Sequence, residues 1–429
     1  MDPLRIGIAG LGTVAQGLLE TLRANSSEIT RRAGRSLSVV RVASRSPKPQ
    51  VDLGTADFST DLSTLHDADI DVVVELIGGE DTALQLVRDA IACKQSVVTA
   101  NKAIIARHGD ELVANADREG IMLGFEAAVA GGIPIVNALT RGMVGNQVEW
   151  LAGIINGTSN FILTAMADHG STFAAALQEA QGLGYAEADP AFDVEGIDAA
   201  HKLTILVALA FDTRFRFEAV YTEGITDVTA EDIEYARDLG YAIKHLGIAR
   251  ASVDGIEARV HPCLVPQNNP LANVNDVMNA VLVHGNAAGP TLYYGAGAGA
   301  RPTASAVISD LVAIARGDAV DFKVGGVERE VLSIEQVQTA YYLRIPSLDE
   351  PGVFARVATI LSEHAISIEG AIQRERAVHL EPSANWVPII ILTHRVQESV
   401  MTAALTAVQG LPEIVGEIVR IRVEHLGAG

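Results

Sequence analysis

The N-terminal third of the chain alternates between strand-like and helix-like segments, and this alternation constrains the fold more than any other feature of the sequence. An apolar run over residues 4–9 leads into the glycine-rich sequence GLGTVA at residues 10–15, and apolar residues with helical spacing follow directly. Further strand-like runs lie at residues 38–43, 71–77, 96–99 and 122–125, with a helical pattern at residues 82–93. Such alternation is typical of α/β proteins and predicts a doubly wound, mostly parallel sheet.

The glycine turn after the first strand is suited to a dinucleotide. Gly10 permits a tight turn, Gly12 lets backbone N–H groups approach a pyrophosphate, and Ala15 is small enough for close packing of helix on sheet. The N-terminus of the helix adds positive potential for phosphates. Glycine turns of this kind also occur without a ligand, but the place of this one at the first strand favours a Rossmann-like, NAD(P)-binding domain with Gly10 and Gly12 in the cofactor site.

The residues after the second strand bear on which dinucleotide binds. A strictly NAD-specific site usually has an acid there for the ribose hydroxyls, whereas this chain reads SRSPK at residues 44–48. If Arg45 and Lys48 face a 2′-phosphate, the site prefers NADP(H), with NAD(H) still possible. Two solvated basic side chains in a loop are the equal alternative.

Two lysines are candidates for chemistry. Lys102 follows the strand at residues 96–99 and is therefore expected to face the crevice, although a lysine in such a place is usually only solvated. Asp198 and Lys202 stand four residues apart at the start of an apolar helical run, so they share one helix face. A partly buried lysine beside a carboxylate can exchange a proton with an alcohol. An ordinary ion pair is the other interpretation.

The middle of the chain contains a polar loop and a set of strand-like pieces. The sequence NGTSN at residues 156–160 separates a predicted strand from a predicted helix, and a simple turn in which Thr158 or Ser159 caps the helix is one explanation of it. Strand-like pieces over residues 258–294 predict an open mixed sheet that serves dimer formation. A helical pattern over residues 303–317 is expected to return to the nucleotide domain.

Composition excludes several classes of partner. The 32 Lys and Arg against 53 Asp and Glu give a net charge of −21, which offers nothing to a nucleic acid or an anionic membrane. No apolar run approaches the roughly 20 residues that span a bilayer, and no signal peptide precedes the first strand. Cys93 and Cys263 have no metal-ligand spacing around them. We therefore expect a cytoplasmic, multidomain protein that acts on small molecules.

The most specific motif covers residues 180–202, where the spacing A-x3-G-Y-A-x2-D-P-x2-D-V-x-G-x-D-x3-K resembles the homoserine dehydrogenase signature at every defined position. Supporting matches are GLGTV at residues 10–14, TANK at 99–102, NGTSN at 156–160, and YGAGAG with PTAS at 294–305. The resemblance implies reversible oxidation of L-homoserine to L-aspartate 4-semialdehyde with a nicotinamide dinucleotide. The reduction would be the physiological direction, in threonine, methionine and isoleucine biosynthesis, and the enzyme a homodimer or homotetramer.

The same resemblance implies roles for individual residues of the substrate site. Lys202 would donate or accept the hydroxyl proton, and Lys102 would lie close to the substrate and the nicotinamide. Glu187 and Asp198 would bind the amine and the hydroxyl of homoserine.

Cofactor and cation contacts are implied in the same way. Residues that would line the dinucleotide are Thr13, Val14, Gly184 and Gly299. The carboxylate of Glu126 and the backbone carbonyls of Val129, Gly131 and Ile133 would hold a monovalent cation, commonly sodium, since oxygen ligands suit a hard cation. Ala15 departs from the third glycine of many relatives, which is a tolerated variant.

The C-terminal part of the chain predicts the order β-α-β-β-α-β, which folds as a ferredoxin-like sandwich. The run DEPGVFARVATIL at residues 349–361, followed by ISIE at 366–369, resembles an ACT regulatory domain. ACT domains commonly bind amino acids near the turn before their first helix, so feedback by threonine at residues 349–354 is the natural hypothesis. A module that only dimerises or stabilises the protein is the alternative.

The sequence predicts three domains. They are an NAD(P)-binding domain at residues 1–135, completed by a helix near 303–320, an α+β catalytic and dimerisation domain at 136–325, and the ACT domain at 335–429. Two other functions stay open at this point: a non-catalytic sensor of dinucleotide and amino acid, and a nicotinamide enzyme acting on a C–N bond. The paired Asp198 and Lys202 argue against the sensor.

Overall fold

The N-terminal region forms a six-stranded sheet in the computed structural model, which describes residues 2–318, 325–373 and 386–427. The strands are β1 Leu4–Ala9, β2 Leu37–Ala43, β3 Asp57–Ser59, β4 Val72–Glu75, β5 Ser96–Thr99 and β6 Leu123–Gly124. The helices are α1 Thr13–Ala24, α2 Ser26–Ala33, α3 Asp81–Ala92 and α4 Lys102–Glu119. All neighbours pair in parallel in the order β3-β2-β1-β4-β5-β6, so the predicted doubly wound sheet is confirmed.

Helix α4 was not predicted from the sequence, and neither were two less conspicuous elements, β3 and α2. Strand β3 has only three residues, and α2 lies in the polar stretch after α1, where only Ile29 and Ala33 are buried. Neither element carries an apolar pattern long enough to stand out in the sequence.

The middle region builds a second, mixed sheet with helices packed on it. Its strands are β7 Val148–Ile154, β8 Tyr221–Thr222, β9 Tyr241–Ala251, β10 Ile256–Pro266, β11 Met278–Gly285 and β12 Gly289–Ala296. Its helices are α5 Ile135–Asn137, α6 Gly157–His169, α7 Phe173–Gly182, α8 Ala191–Val194, α9 Ile197–Phe211, α10 Ala230–Asp238 and α11 Ala300–Arg316. The long strands run antiparallel in the order β12-β11-β7-β9-β10.

Helix α11 leaves the middle region and packs on α1 of the first sheet. A Cβ atom placed on Gly17 would lie 2.5 Å from the carbonyl oxygen of Ala300, so only glycine allows the two helices to approach this closely. The helix ends at Arg316. The predicted end near residue 320 lies outside the described residues, which stop at 318 here.

The C-terminal region has the predicted βαββαβ order. Its elements are β13 Gln338–Leu348, α12 Val353–Glu363, β14 Ile368–Gln373, β15 Trp386–Thr393, β16 Val396–Gln397, α13 Glu398–Gln409 and β17 Val419–Val423. The four main strands are antiparallel in the order β17-β13-β15-β14, with the short β16 beside β13. Strand β17 also pairs in parallel with β10, where Cys263 faces Arg422 and Leu264 faces Val423, so this sheet continues the sheet of the middle region.

No helix in residues 2–318, 325–373 and 386–427 has both the length and the apolar character needed to cross a membrane.

Candidate active site

Two lysine side chains, one from each of two regions of the chain, contact the carboxylate of Asp198. Lys202 lies one turn further along α9, and its Nζ is 2.6 Å from Oδ2 of Asp198. Lys102 is the first residue of α4, and its Nζ is 2.8 Å from Oδ1 of the same carboxylate. The side chain of Asp198 is only 4% exposed, that of Lys202 11% and that of Lys102 33%. One buried carboxylate is therefore shared by two ammonium groups, one from the nucleotide domain and one from the middle region.

Asn156 completes the surroundings of this carboxylate. Its amide nitrogen donates to Asp198 at 2.8 Å and to Asp193 at 2.7 Å. Its amide oxygen accepts from the backbone N–H of Ser159 at 2.7 Å and thus caps α6. The alternative in which Thr158 or Ser159 caps this helix is therefore excluded. The Thr158 hydroxyl donates to the Tyr185 carbonyl instead, and the Ser159 hydroxyl to the Asp193 carbonyl, so the loop ties two acidic segments together.

The two lysines have opposite pKa shifts. Burial disfavours charge on Asp198, but the ammonium groups of Lys202 and Lys102 outweigh it and hold the pKa of Asp198 well below its ordinary value. Burial lowers the pKa of Lys202, assisted by the charge of Lys102 and opposed by Asp198. Burial acts on Lys102 in the same sense, but there Asp198 prevails and the pKa is raised. Lys202 is thus the ammonium group that gives up its proton more readily.

Lys202 keeps one hydrogen-bonding position for a ligand. Its Nζ donates to the backbone carbonyl of Ile155 at 2.8 Å and to Asp198 at 2.6 Å. An ammonium group has three donors. The third can meet an oxygen atom of a substrate, and a neutral amine in the same place can accept a proton from it.

Aromatic groups line the side of the site near Lys102. The Nζ of Lys102 lies 5.4 Å from the centroid of the exposed Phe192 ring. The ring of buried His201 lies between those of Phe192 and Phe217, tilted against both, with its centroid 4.2 Å from that of Phe217. Burial, with the charge of Arg107, lowers the pKa of His201 to about 4, so its ring is neutral at physiological pH.

Glu187 lies on the exposed loop between α7 and α8. The backbone carbonyl of this residue accepts from the Gln181 side chain at 3.1 Å, and Tyr185 packs edge-on against Phe161 with ring centroids 5.0 Å apart. The loop is therefore anchored while the Glu187 side chain stays accessible. Its charge is one of those that raise the pKa of Lys102. Gly184, at the start of the loop, has a φ of +76°.

The glycine turn has the geometry that dinucleotide binding needs. Gly10 has a φ of +96°, and a Cβ atom there would lie 2.7 Å from the carbonyl oxygen of Leu76. Gly12 precedes α1, and no side chain caps this helix. The N–H groups of its first turn, which begins with Thr13 and Val14, are consequently available to a phosphate. Gly299 precedes α11 in the same way, also without a side-chain cap.

Arg45 lies where the second strand ends. It is exposed and follows β2 by two residues. Within the described part of the chain its side chain makes no hydrogen bond or ion pair, so the guanidinium group is available to a ligand.

The corner around Glu126 is built from one buried carboxylate and several backbone groups. Glu126 is 1% exposed and accepts from the backbone N–H groups of Val136 at 2.9 Å and Asn137 at 2.8 Å. Burial raises its pKa, and burial together with Glu126 raises the pKa of the adjoining Asp310 to about 8. Among the described residues, no hydrogen bond reaches the carbonyl oxygens of Val129 and Gly131.

The predicted cation ligands lie beside the glycine loop that precedes α11. A Cβ atom on Gly131 would lie 2.5 Å from the carbonyl oxygen of Gly297, and the N–H of Gly132 donates to Ala296 at 2.9 Å. The carbonyl of Ile133 already accepts from Ile135 at 2.8 Å. No cluster of three or more His, Cys, Asp and Glu side chains suited to a metal ion occurs in the described ranges.

Sequence reasoning assigned no role to Asn156, Asp193 and Glu75. Glu75 ends β4, is fully buried, and accepts from the Thr99 hydroxyl at 2.5 Å and from the N–H of Ile77 at 2.9 Å. It therefore joins the ends of β4 and β5 just before Lys102. The signal was present, because Glu75 is the one charged residue at the end of an otherwise apolar strand.

Family models match almost the whole chain. The model described as "Homoserine dehydrogenase, NAD binding domain" matches residues 10–126, the model "Homoserine dehydrogenase" matches residues 134–312, and the model "ACT domain" matches residues 341–413. The predicted ACT resemblance is thereby confirmed.

Curated relatives are similar over their full length. The homoserine dehydrogenase of Pseudomonas aeruginosa is 51% identical over 437 aligned residues, which cover 99% of this chain and 100% of the relative. That of Neisseria gonorrhoeae is 45% identical over 438 residues, with 99% and 100% covered.

Solved structures agree with these matches. A homoserine dehydrogenase from Thiobacillus denitrificans superposes with a TM-score of 0.93 at 50% identity, covering 99% of both chains. The enzyme of S. aureus at pH 6.5 gives a TM-score of 0.77 at 31% identity, covering 99% of this chain and 100% of that one. A hyperthermophilic archaeal homoserine dehydrogenase in complex with NADPH gives 0.61 at 26% identity, covering 73% and 98%.

Proposed function

The chain belongs to the homoserine dehydrogenase family, and from this premise we propose that Lys202 exchanges the substrate's hydroxyl proton during NAD(P)-dependent oxidation of homoserine and its reverse. The observation that carries the proposal is the position of the Lys202 ammonium, buried, bonded to Asp198 and Ile155, and left with one donor for a substrate oxygen. The lowered pKa of Lys202 makes its proton easier to lose, which supports proton exchange with an alcohol. A sensor without catalysis has no use for such a group.

The proton and the hydride follow separate routes. In the oxidation, neutral Lys202 takes the proton of the hydroxyl group as the C–H bond of the same carbon breaks and a carbonyl forms. A bound nicotinamide ring supplies the acceptor for the hydride. In the reduction of aspartate semialdehyde, which we take as the physiological direction in the biosynthesis of threonine, methionine and isoleucine, protonated Lys202 returns the proton to the new alkoxide.

Substrate binding is assigned to the acidic groups around the two lysines. Glu187, accessible on its loop, would bind the amine of homoserine, and Asp198 would orient its hydroxyl through Lys202. Lys102, with its raised pKa, stays protonated and would provide fixed positive charge beside the substrate and the nicotinamide. A lysine of fixed charge beside one with a lowered pKa would suit a hydride transfer that is coupled to proton exchange.

The dinucleotide would bind across the uncapped N-termini of α1 and α11, with Gly10, Gly12, Thr13, Val14, Gly184 and Gly299 against it. We propose NADP(H) as the preferred cofactor, because Arg45 is free of protein partners at the end of β2; the archaeal relative was solved with NADPH. Replacing Arg45 by alanine should raise the KM for NADPH about tenfold and leave that for NADH within about twofold. Equal KM values in the variant and the parent for NADPH would remove the preference.

A monovalent cation such as sodium fits the Glu126 corner. The carboxylate is buried, and the carbonyl oxygens of Val129 and Gly131 are unengaged, which is the oxygen set a hard cation prefers. The cation would brace the corner against the glycine loop before α11. Activity measured in sodium, potassium and choline salts at equal ionic strength tests this; equal rates in all three contradict it.

The ACT domain and the middle sheet would serve regulation and assembly. We place a threonine effector at the turn of residues 349–354 in the ACT domain and infer a homodimer or homotetramer joined through the middle sheet. The domains would be residues 1–135 with the helix near 303–320, residues 136–325, and residues 335–429. Activity with and without saturating threonine tests the effector, and equal rates would leave the domain a stabilising role.

The experiment on which the catalytic proposal depends is Lys202→Ala, assayed by NADPH absorbance with aspartate semialdehyde. We expect the rate to fall about 10²- to 10⁴-fold, with KM for the dinucleotide little changed. Lys202→Arg should not restore the rate, because a guanidinium does not lose its proton near neutral pH. A folded Lys202→Ala protein that still turns over substrate at the parent rate would show the proposed mechanism to be wrong.

A further inference from the structure

A buried arginine joins the C-terminal sheet to the middle region. Arg422 on β17 has a side chain only 1% exposed. Its guanidinium binds Glu398 of α13 at 2.7 and 2.9 Å and, from its other side, Glu223 of the middle region at 2.8 and 3.2 Å. The ring of Tyr221 lies 5.2 Å from the guanidinium carbon. Arg422 of the ACT domain therefore binds the side chain of Glu223, the residue that follows β8 in the middle region.

The segment that begins with Glu223 packs on the chain just before α9. Gly224 lies against the carbonyl of Val194 so closely that a side chain there would collide with it. The N–H of Ile225 donates to the same carbonyl at 2.9 Å. A Cβ atom on Gly196, where φ is +86°, would lie 3.2 Å from the carbonyl oxygen of Glu223. Residues 223–225 thus pack directly against residues 194–196.

Residues 194–196 connect the two acids of the active site. Asp193 precedes them and accepts from Asn156, and Asp198 follows them at the first turn of α9 and contacts both lysines. A displacement of this short link would change the distance between Asp193, Asp198 and the Asn156 amide that bridges them.

We propose that Arg422 is a positioning residue for the substrate site, acting from the ACT domain through Glu223 on residues 194–196 and so on Asp198. The chain of contacts consists of direct hydrogen bonds and close packing at each step. The inference rests on the proposed function, because it takes Asp198 as part of the homoserine site. Arg422 touches neither the substrate nor the lysines.

A second buried arginine provides a matched control. Arg344 on β13 also reaches from the ACT domain to an acid of the middle region, binding Asp232 of α10 at 2.7 and 3.1 Å. Its side chain is 11% exposed. Asp232 lies in the first turn of α10 and completes the capping box with the N-cap residue Thr229. None of its hydrogen bonds in the described chain reaches residues 194–196. Both arginines lie in the ACT domain and bind an acid of the middle region, but only the partner of Arg422, Glu223, belongs to the segment 223–225 that contacts residues 194–196.

The test compares Arg422→Lys with Arg344→Lys in the full-length protein. Lysine keeps the charge but loses the two-pronged geometry of arginine. We expect Arg422→Lys to raise the KM for homoserine about threefold to thirtyfold, with the KM for the dinucleotide unchanged. Arg344→Lys should lower the thermal unfolding midpoint about as much as Arg422→Lys does, but it should leave the KM for homoserine unchanged.

Glu223→Gln offers the same test if Arg422→Lys does not fold, since it leaves the pair of Arg422 with Glu398 in place. The double variant Arg422→Lys with Glu223→Gln should raise the KM no further than the larger single effect, because both changes cut one connection. Equal KM increases in Arg422→Lys and Arg344→Lys, or no increase in either Arg422→Lys or Glu223→Gln, would overturn the inference. Loss of turnover in Lys202→Ala would still stand in that case, so the two proposals fail separately.

Discussion

Two buried charge clusters in this molecule have the same composition with the signs of the charges reversed. At Asp198, one carboxylate is shared by two lysines, and at Arg422, one guanidinium is shared by two glutamates, Glu398 and Glu223. Both central side chains are at most 4% exposed. Both clusters cross a boundary between regions of the chain. Only the cluster at Asp198 contains a cation, Lys202, whose pKa is lowered.

The difference lies in the groups that surround the central charge. Burial and a second cation lower the pKa of a lysine, as they do at Lys202. At Arg422, burial works against the charge, but Glu398 and Glu223 outweigh it and raise the pKa, and arginine stays charged in proteins in any case. Two cations around one acid therefore leave one of the cations with a lowered pKa, whereas two acids around one arginine raise its pKa and keep it charged.

Arg422→Met should have the largest effect on stability. It leaves Glu398 buried without its main partner, and the loss of one member of a buried ion pair costs about 3–5 kcal/mol. Urea unfolding followed by circular dichroism measures the change in the free energy of unfolding. A change below about 1 kcal/mol would mean that Glu398 finds other partners, such as Arg420, 3.0 Å away.

Asp198→Asn tests the catalytic side with a somewhat smaller expected effect. The substitution removes the group that orients Lys202, so kcat/KM for homoserine oxidation should fall about a hundredfold. It also removes the negative charge that keeps the pKa of Lys202 from falling further, while the charge of Lys102 continues to lower that pKa. The rise of kcat with pH, which follows loss of the Lys202 proton, should therefore shift to lower pH. A shift to higher pH would contradict the assignment of Lys202 as the titrating group.

Much of the fold followed from the sequence because the relevant patterns are local. Strands β1 and β5 begin and end at the predicted residues, and the βαββαβ order of the C-terminal region is as predicted. Long apolar runs and helical periodicity carry that information. Strand β3 and helix α2 were not predicted because the first is very short and the second is mostly polar.

The candidate site was predictable only in part. The spacing of Asp198 and Lys202 places them on one helix face, and that relation needs no tertiary information. The contact between Arg422 and Glu223 joins residues 199 positions apart and depends on how β17 pairs with β10. The bridge from Asn156 to Asp193 and Asp198 likewise depends on α6 meeting α9. No periodic pattern in the sequence records such pairings.

Arg356→Met should have the smallest effect, and it separates the influence of burial from that of the ion pair itself. Arg356 binds Glu413 at 2.7 Å, the same distance as the shorter bond from Arg422 to Glu398, and it lies in the same domain. Its side chain is 44% exposed, however, so water and salt screen the pair. Loss of such a contact changes the free energy of unfolding by at most about 1 kcal/mol. If urea unfolding gave Arg356→Met and Arg422→Met equal losses, burial would not be what distinguishes the Arg422 cluster, and its role as a fixed connection would need another explanation.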